Sequence, residues 1–400
     1  MSGAHPLPRV ILRKGRARPL EGRHPWLFSG SIHRVEGSVS DGDEVLVVDA
    51  GGTPLARGLF NGRSQIRVRL YAWDPGTSLD ESFWSERVER ALAVRDRIPG
   101  LARPLPARLV FSEADGLSGL TVDRYDRWLV VQVTSLALHR RLPHLLDLLE
   151  EAERPEGILL RTEKGIGEEE GLEIRDHLLR GKAPEGPVLL PDGDLRFQAD
   201  LRTGQKTGFY LDQRENRRRV AAWGEGRRVA DVCCYTGGFG LHLARAGARS
   251  VVGVDVSAST LELARENARL NEVEDRVSWA KSDAFRWLEG EAEAGRRYDL
   301  VVLDPPRFAR SRRGVAGALR GYARLNEGAL RILEPGGILV TCSCTGRVSR
   351  DEFLQVLAGV SERTGRRLRL LESRGQPPDH PVDPSCPETA YLKCLILEAE

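Results

Sequence analysis

No run of eighteen apolar residues occurs in the 400-residue chain, so it holds no stretch suited to crossing a bilayer as a helix. Its opening, MSGAHPLPRVILRKGR, lacks the apolar core of roughly 7–15 residues that a secretory signal requires, and a cytoplasmic protein with no membrane partner is expected. Cysteine is scarce: six residues (Cys233, Cys234, Cys342, Cys344, Cys386, Cys394) are too few for a disulfide scaffold. The CC and CxC spacings supply no CxxC or HxxxH pair for zinc, and no metal is expected. Net charge is nearly absent, at +2 from 60 basic and 58 acidic residues, so an anionic partner must be met by local patches. Only six of the basic residues are lysines, a bias that coding composition can produce by itself.

With 40% hydrophobic and 30% charged side chains the chain is globular, and its length exceeds what one core organises, so two or three domains are expected. Residues 1–75 read as short strands between turns, with alternating stretches at Glu44–Val48 and Gln65–Tyr71, which suggests a small β-barrel. Seven basic residues between 9 and 34 (Arg9, Arg13, Lys14, Arg16, Arg18, Arg23, Arg34) face one acid, Glu21; they suit a phosphate backbone, or equally the solvated face of a barrel. Residues 76–187 mix a helix (Leu79–Ile98), a hairpin (Leu120–Asp123 with Trp128–Val133), a helical stretch (Leu136–Glu151, with Pro143 starting or kinking it) and a strand (Gly157–Leu160), as in a small α+β domain. From residue 188 to 400 strands and helices alternate as a parallel sheet requires: strands at Arg228–Cys234, Ser250–Val256, Asp299–Leu303 and Gly337–Cys342, with helices at Gly238–Ala246 and Ser259–Asn271.

Ligands of such sheets sit beyond the carboxyl ends of the strands. There VADVCC runs into Tyr235-Thr236-Gly237-Gly238-Phe239-Gly240, and the next strand ends at Asp255, where a carboxylate can accept from both hydroxyls of a ribose. TGGFG lacks the full GxGxxG that cradles a pyrophosphate, which favours S-adenosylmethionine over a nicotinamide cofactor. A plain turn with a surface carboxylate accounts for these residues taken alone. Asp283 after a third strand, placed to hold an adenine amino group, and Asp304-Pro305-Pro306 after a fourth raise the odds of a site.

KTGFYLDQR (206–214), CYTGGFG (234–240), VDVS (254–257), LDPPRF (303–308) and TCSCTG (341–346) resemble the motif series of the RlmI-like family of 23S ribosomal RNA cytosine-5 methyltransferases. The likeness continues through HPWLFSG (24–30), EADGLSGLTVDRY (113–125), DHPV (379–382) and YLKC (391–394), across nearly the whole chain. It implies an α/β protein: an N-terminal PUA-like RNA-binding β-barrel, a central α+β domain and a C-terminal Rossmann-like class I methyltransferase domain. It also implies cofactor contacts from Asp212, Tyr235, Thr236, Gly237, Gly238, Phe239, Asp255, Ser257, Asp283 and Ala284, and substrate contacts from Lys206, Pro305, Pro306 and Arg307. The implied partner is 23S ribosomal RNA, and a homodimer is compatible with the sequence.

Cytosine C5 is a poor nucleophile until another group adds at C6, a task that suits a thiolate. Two cysteines, Cys342 and Cys344, lie on one face of a regular strand. Resemblance and position at the strand's end favour Cys344, while Thr341-Cys342-Ser343 also reads as the TCS segment of related enzymes. Asp304 is expected at the cytosine N3/N4 edge, and Arg307, Arg310, Arg312, Arg313, Arg320 and Arg324 as a basic flap or as loose surface arginines. A nitrogen-directed methyltransferase, which needs no cysteine, and a non-catalytic RNA-binding assembly factor are the competing readings.

Overall fold

The computed structural model describes residues 7–162, 166–309 and 311–400, so Arg310 lies outside the described residues. Packing groups the chain into two units. One runs through Val188 and takes in Ala199–Leu211 and Pro378–Thr389; the other holds Leu189–Gln198, Asp212–Pro377 and Ala390–Glu400.

The first unit contains two sheets. Six strands (Arg9–Leu12, Trp26–Phe28, Ile32–Glu36, Glu44–Val48, Pro54–Phe60, Ile66–Ala72) pair antiparallel, except that the first runs parallel to the fourth. Their alternating inward residues Val10, Leu12, Leu27, Val45, Val47 and Val68 make a small core. Five further strands (Ala107–Phe111, Leu120–Tyr125, Trp128–Val133, Gly157–Leu160, His177–Gly181) lie in chain order. The helix Glu81–Asp96 begins where the Asp80 side chain accepts from the Phe83 N–H at 3.0 Å, and it buries Phe83, Trp84 and Val88 among Leu109, Leu129 and Leu145. Leu59, Tyr71 and Ala72 of the first sheet share that core, which is why residues on both sides of position 75 pack as one body. The helical stretch expected over 136–151 is two helices, Leu136–His139 and Leu142–Glu153. Pro143 stands in the first turn of the second, where its missing N–H costs no hydrogen bond.

The second unit is built on one seven-stranded sheet. In chain order its elements are α1 (Arg214–Ala221), β1 (Arg228–Val232), α2 (Gly238–Arg245), β2 (Ser250–Asp255), α3 (Ala258–Leu270), β3 (Val277–Lys281), α4 (Ala284–Glu293), β4 (Tyr298–Leu303), α5 (Val315–Ile332), β5 (Leu333–Ser343), α6 (Arg350–Thr364), β6 (Leu368–Arg374) and β7 (Lys393–Ala399). The spatial order is β3-β2-β1-β4-β5-β7-β6. Strands β1 to β5 are parallel and β7 is inserted antiparallel to both neighbours, so the carboxyl ends of β1, β2, β4 and β5 meet on one edge, astride the reversal of strand order between β1 and β4. The central strands are buried on both faces, as the VVL run of β4 requires.

The hairpin Val188–Asp192 and Leu195–Ala199 is tied to α1 by Arg217, whose Nε donates to Asp192 Oδ2 at 2.8 Å; both side chains are 3% exposed. Burial alone would raise the Asp192 pKa, but Arg217, with His242 and Arg218, holds it below the ordinary value. Removing one partner of a buried pair strands the other. Arg217→Met is therefore expected to cost about 3–5 kcal/mol in urea unfolding, and a loss below about 1 kcal/mol would show that the pair does not hold the hairpin.

Candidate active site

The turn from β1 into α2 is strained. Cys233, Tyr235 and Gly237 all have positive φ (65°, 51° and 85°), which costs a non-glycine residue roughly 1–2 kcal/mol each. A Cβ on Gly237 would stand 2.8 Å from the Trp279 ring, so only glycine closes the turn. Beneath it, in the middle of β1, Asp231 is fully buried and its Oδ2 accepts from the Gly240 N–H at 2.7 Å. Burial first, then the nearby Asp304 and Asp255 carboxylates, push its pKa up to about 7 against the Gly240 hydrogen bond.

At the end of β2, Asp255 accepts from the Tyr235 N–H at 3.1 Å and the Ser257 N–H at 3.0 Å, fixing its carboxylate beside the turn. Ser257 itself caps α3, accepting from Thr260 N–H. Asp283 is exposed and caps α4, its Oδ1 accepting from the Phe285 and Arg286 N–H groups, and Ala284 is the first residue of that helix. Thr236 and Phe239 are buried, whereas Tyr235 and Gly238 are half-buried. Val256, next to Asp255, is 62% exposed, an apolar edge that the motif reading did not single out.

Asp304 follows β4. Its N–H donates to Val232 O at 3.2 Å and its Oδ1 accepts from Gln213 Nε2 at 3.0 Å, so the loop is pinned to both β1 and the segment before α1. Pro305 is buried, while Pro306 and Arg307 are exposed. Cys344, half-buried, lies one residue beyond β5 with Sγ 3.9 Å from the Pro305 carbonyl oxygen. Cys342 differs in kind: it is wholly buried opposite Cys394, and contact with that thiol together with burial pushes its pKa well up. Asp212 is buried and its Oδ2 accepts from the Tyr391 hydroxyl at 2.6 Å.

Other expected residues fall elsewhere. Lys206 belongs to the first unit, where its ammonium sits 4.2 Å from the centre of the Tyr210 ring. Of the basic segment after Asp304, helix α5 holds Arg320, which is exposed, and Arg324, stacked 4.7 Å over Phe285, while Arg307, Arg312 and Arg313 precede the helix. In the N-terminal patch, Arg9 and Arg34 both pair with Glu36, an acid just beyond the counted window. Among the described residues one group of metal-ligating types gathers, His24, Cys386 and Glu388. His24 Nδ1 accepts from the Trp26 N–H, so in the neutral ring Nε2 carries the proton, directed at Glu388 Oε2 3.2 Å away, and offers no lone pair to an ion.

The strand order, the glycine turn and the ring of strand-end carboxylates define a class I S-adenosylmethionine-dependent methyltransferase. The donor set fits that cofactor: carboxylates for a nucleoside's hydroxyl and amino groups, and no Lys or Arg in the turn 233–240 to meet a phosphate. Residues 178–397 match the family of S-adenosylmethionine-dependent methyltransferases, and residues 10–73 the PUA-like domain. The chain is 40% identical over 396 residues to the ribosomal RNA large subunit methyltransferase I of Aeromonas hydrophila, covering 98% of this chain and 99% of that protein. The protein of the same name from Shewanella amazonensis is 38% identical, covering 97% and 98%. This chain belongs to the ribosomal RNA large subunit methyltransferase I family. Two solved structures share the fold over 98% of this chain and 99% of theirs: a SAM-dependent methyltransferase from Streptococcus mutans (TM-score 0.84, 16% identity) and a methyltransferase complexed with SAH (TM-score 0.85, 17% identity).

Asp231 gives the unit a pH signature. Its folded pKa, about 7, lies above the ordinary 3.8, so its contribution to stability is complete below pH 3.8 and is lost as pH rises through 7. The span corresponds to roughly 4 kcal/mol. Urea unfolding of Asp231→Asn, which keeps an oxygen for Gly240, should lose that decline between pH 4 and 7; profiles parallel to the parent's would contradict it.

Proposed function

We propose that this protein forms 5-methylcytosine in 23S ribosomal RNA, with Cys344 as the nucleophile. The observation that carries the reading is the placement of a half-buried thiol beside the Asp304-Pro305-Pro306 loop, at the same sheet edge as the cofactor-binding carboxylates. Membership of a family whose relatives are named for large-subunit ribosomal RNA supports the substrate class.

Bound S-adenosylmethionine supplies an electrophilic methyl group. Asp255 holds the ribose, with Asp283 and Ala284 at the adenine, Tyr235, Thr236, Gly237, Gly238, Phe239 and Ser257 shaping the turn, and Asp212 at the amino-acid end. The Cys344 thiolate bonds to C6 of an unpaired or flipped cytosine, and the ring's electron pair moves to C5. Asp304 holds the N3/N4 edge and, protonated, stabilises the charge that builds there. After C5 has been alkylated its proton leaves to a base, the C6–S bond breaks and the thiolate returns. Pro305 and Pro306 form an apolar shelf for the base, and Arg307 and Lys206 bind RNA. Residues 1–75 bind RNA as the PUA-like part, 76–187 form the α+β part, and 188–400 carry the chemistry, in a cytoplasmic enzyme.

Incubation with 5-fluorocytidine-containing 23S RNA and S-adenosylmethionine should trap a denaturation-stable adduct, because fluorine at C5 blocks the final elimination. Proteolytic mapping should place it on Cys344. Cys344→Ala should reduce methyl transfer on the order of 10³-fold or more, as expected for loss of a nucleophile. Methylation by Cys344→Ala at the parent's rate would instead favour a ring or exocyclic nitrogen as the target.

A further inference from the structure

Lys393 is a charged side chain that the motif series leaves without a role, and the fold has placed it unusually. It opens β7, opposite Ser343 of β5 in the antiparallel register, and is 5% exposed. Its Nζ donates to the Thr345 carbonyl and to the Tyr391 carbonyl, both at 2.8 Å. Thr345 follows Cys344 directly. An ammonium held by two carbonyl oxygens in a dry setting is expensive unless a further charge compensates it. Burial lowers the Lys393 pKa to about 8, while Cys344 and Glu352 act in the opposite sense and Arg307 lowers it further. The Coulomb interaction is mutual, so whatever the thiolate does for the ammonium the ammonium does for the thiolate.

We propose that Lys393 is a positioning residue that keeps Cys344 ionised for attack, by holding a buried positive charge beside the end of β5. This inference rests on the reading of Cys344 as the nucleophile. The other groups around the thiol do not replace Lys393. Asp304, on the loop after β4, is an acid and brings no positive charge to the thiolate. The Tyr322 hydroxyl of α5 is engaged with Thr345 Oγ1 at 2.8 Å and with the Ser343 hydroxyl at 3.0 Å, and burial pushes its pKa up to about 12, so it stays neutral. Arg307 is exposed, where its charge is screened by solvent, and Glu352 of α6 faces the ammonium with the opposite sign. The ionisation is a simple transfer: the thiol proton leaves to water and the sulfur keeps the electron pair, with no co-reactant.

The test is the pH dependence of Cys344 alkylation by iodoacetamide in the full-length protein without RNA, followed by mass spectrometry of the peptide carrying residue 344. Lys393→Gln keeps a donor for the two carbonyls and removes the charge; Lys393→Arg restores it. Alkylation at pH 7 should fall about tenfold in Lys393→Gln, equivalent to one pKa unit, and recover in Lys393→Arg. A rate in folded Lys393→Gln equal to the parent's overturns the proposal, as does a fall that Lys393→Arg does not rescue. S-adenosylmethionine binding confirms that each variant is folded. Because this readout needs no RNA, it separates the two ideas: a Cys344 adduct with 5-fluorocytidine RNA alongside an unmoved alkylation profile would retain the nucleophile and remove Lys393. A shifted profile with no such adduct would retain the charge effect and remove the nucleophile.

Discussion

The antiparallel pairing of β7 against β5 is the constraint on which the proposed chemistry depends. Parallel strands β1 to β5 bring their carboxyl ends, and therefore Asp255, Asp304 and Cys344, to one edge of the sheet, an edge lined with acids. Such a place suits a nucleoside's hydroxyls and amines but disfavours a thiolate. Only a strand running the other way can begin at that edge. The register that sets Ser343 opposite Lys393 delivers an ammonium there, and slipping it by one residue would turn Lys393 to the other face of the sheet.

The cofactor side is organised by a different cost. Two non-glycine residues and one glycine at positive φ, above a buried Asp231 whose carboxyl accepts from the Gly240 N–H, make a turn that local sequence preferences would not choose. The sheet over-determines it: Val232 is paired on both sides, by Val254 and Leu303, and the Asp255 carboxylate takes the Tyr235 N–H. Strain of this kind is tolerable because the strands beneath are fully buried and cannot yield. The result is a loop whose backbone is held by the paired strands and by the Asp231 and Asp255 carboxylates.

Much of this was legible in the sequence where chemistry and chain order coincide. The strand, glycine turn, helix and strand-end aspartate form one βαβ run, so β1, α2 and β2 could be placed within about one or two residues of their observed limits by hydrophobic pattern alone. Cys342 and Cys344 would share one face only on a strand continuing regularly through both. β5 stops at Ser343, which leaves one cysteine locked against Cys394 and the other beside Pro305. Lys393 and Tyr391 carry no role of their own in the sequence reading because their partners, Thr345 and Asp212, lie far away in sequence. In the sequence Asp231 is one polar residue in an apolar strand, with nothing local to mark its burial. Likewise, no local signal announced that Ala199–Leu211 and Pro378–Thr389 leave the sheet domain to pack with the first unit.

The proposed chemistry makes one demand that no nitrogen-directed methyltransferase shares: the hydrogen on cytosine C5 must be lost each time a methyl group is gained. The most direct measurement is therefore release of tritium to water from 23S RNA transcribed with [5-³H]cytidine, followed alongside methyl incorporation from S-adenosylmethionine. One tritium released per methyl transferred is the predicted result, and methyl transfer with the tritium retained would contradict the account.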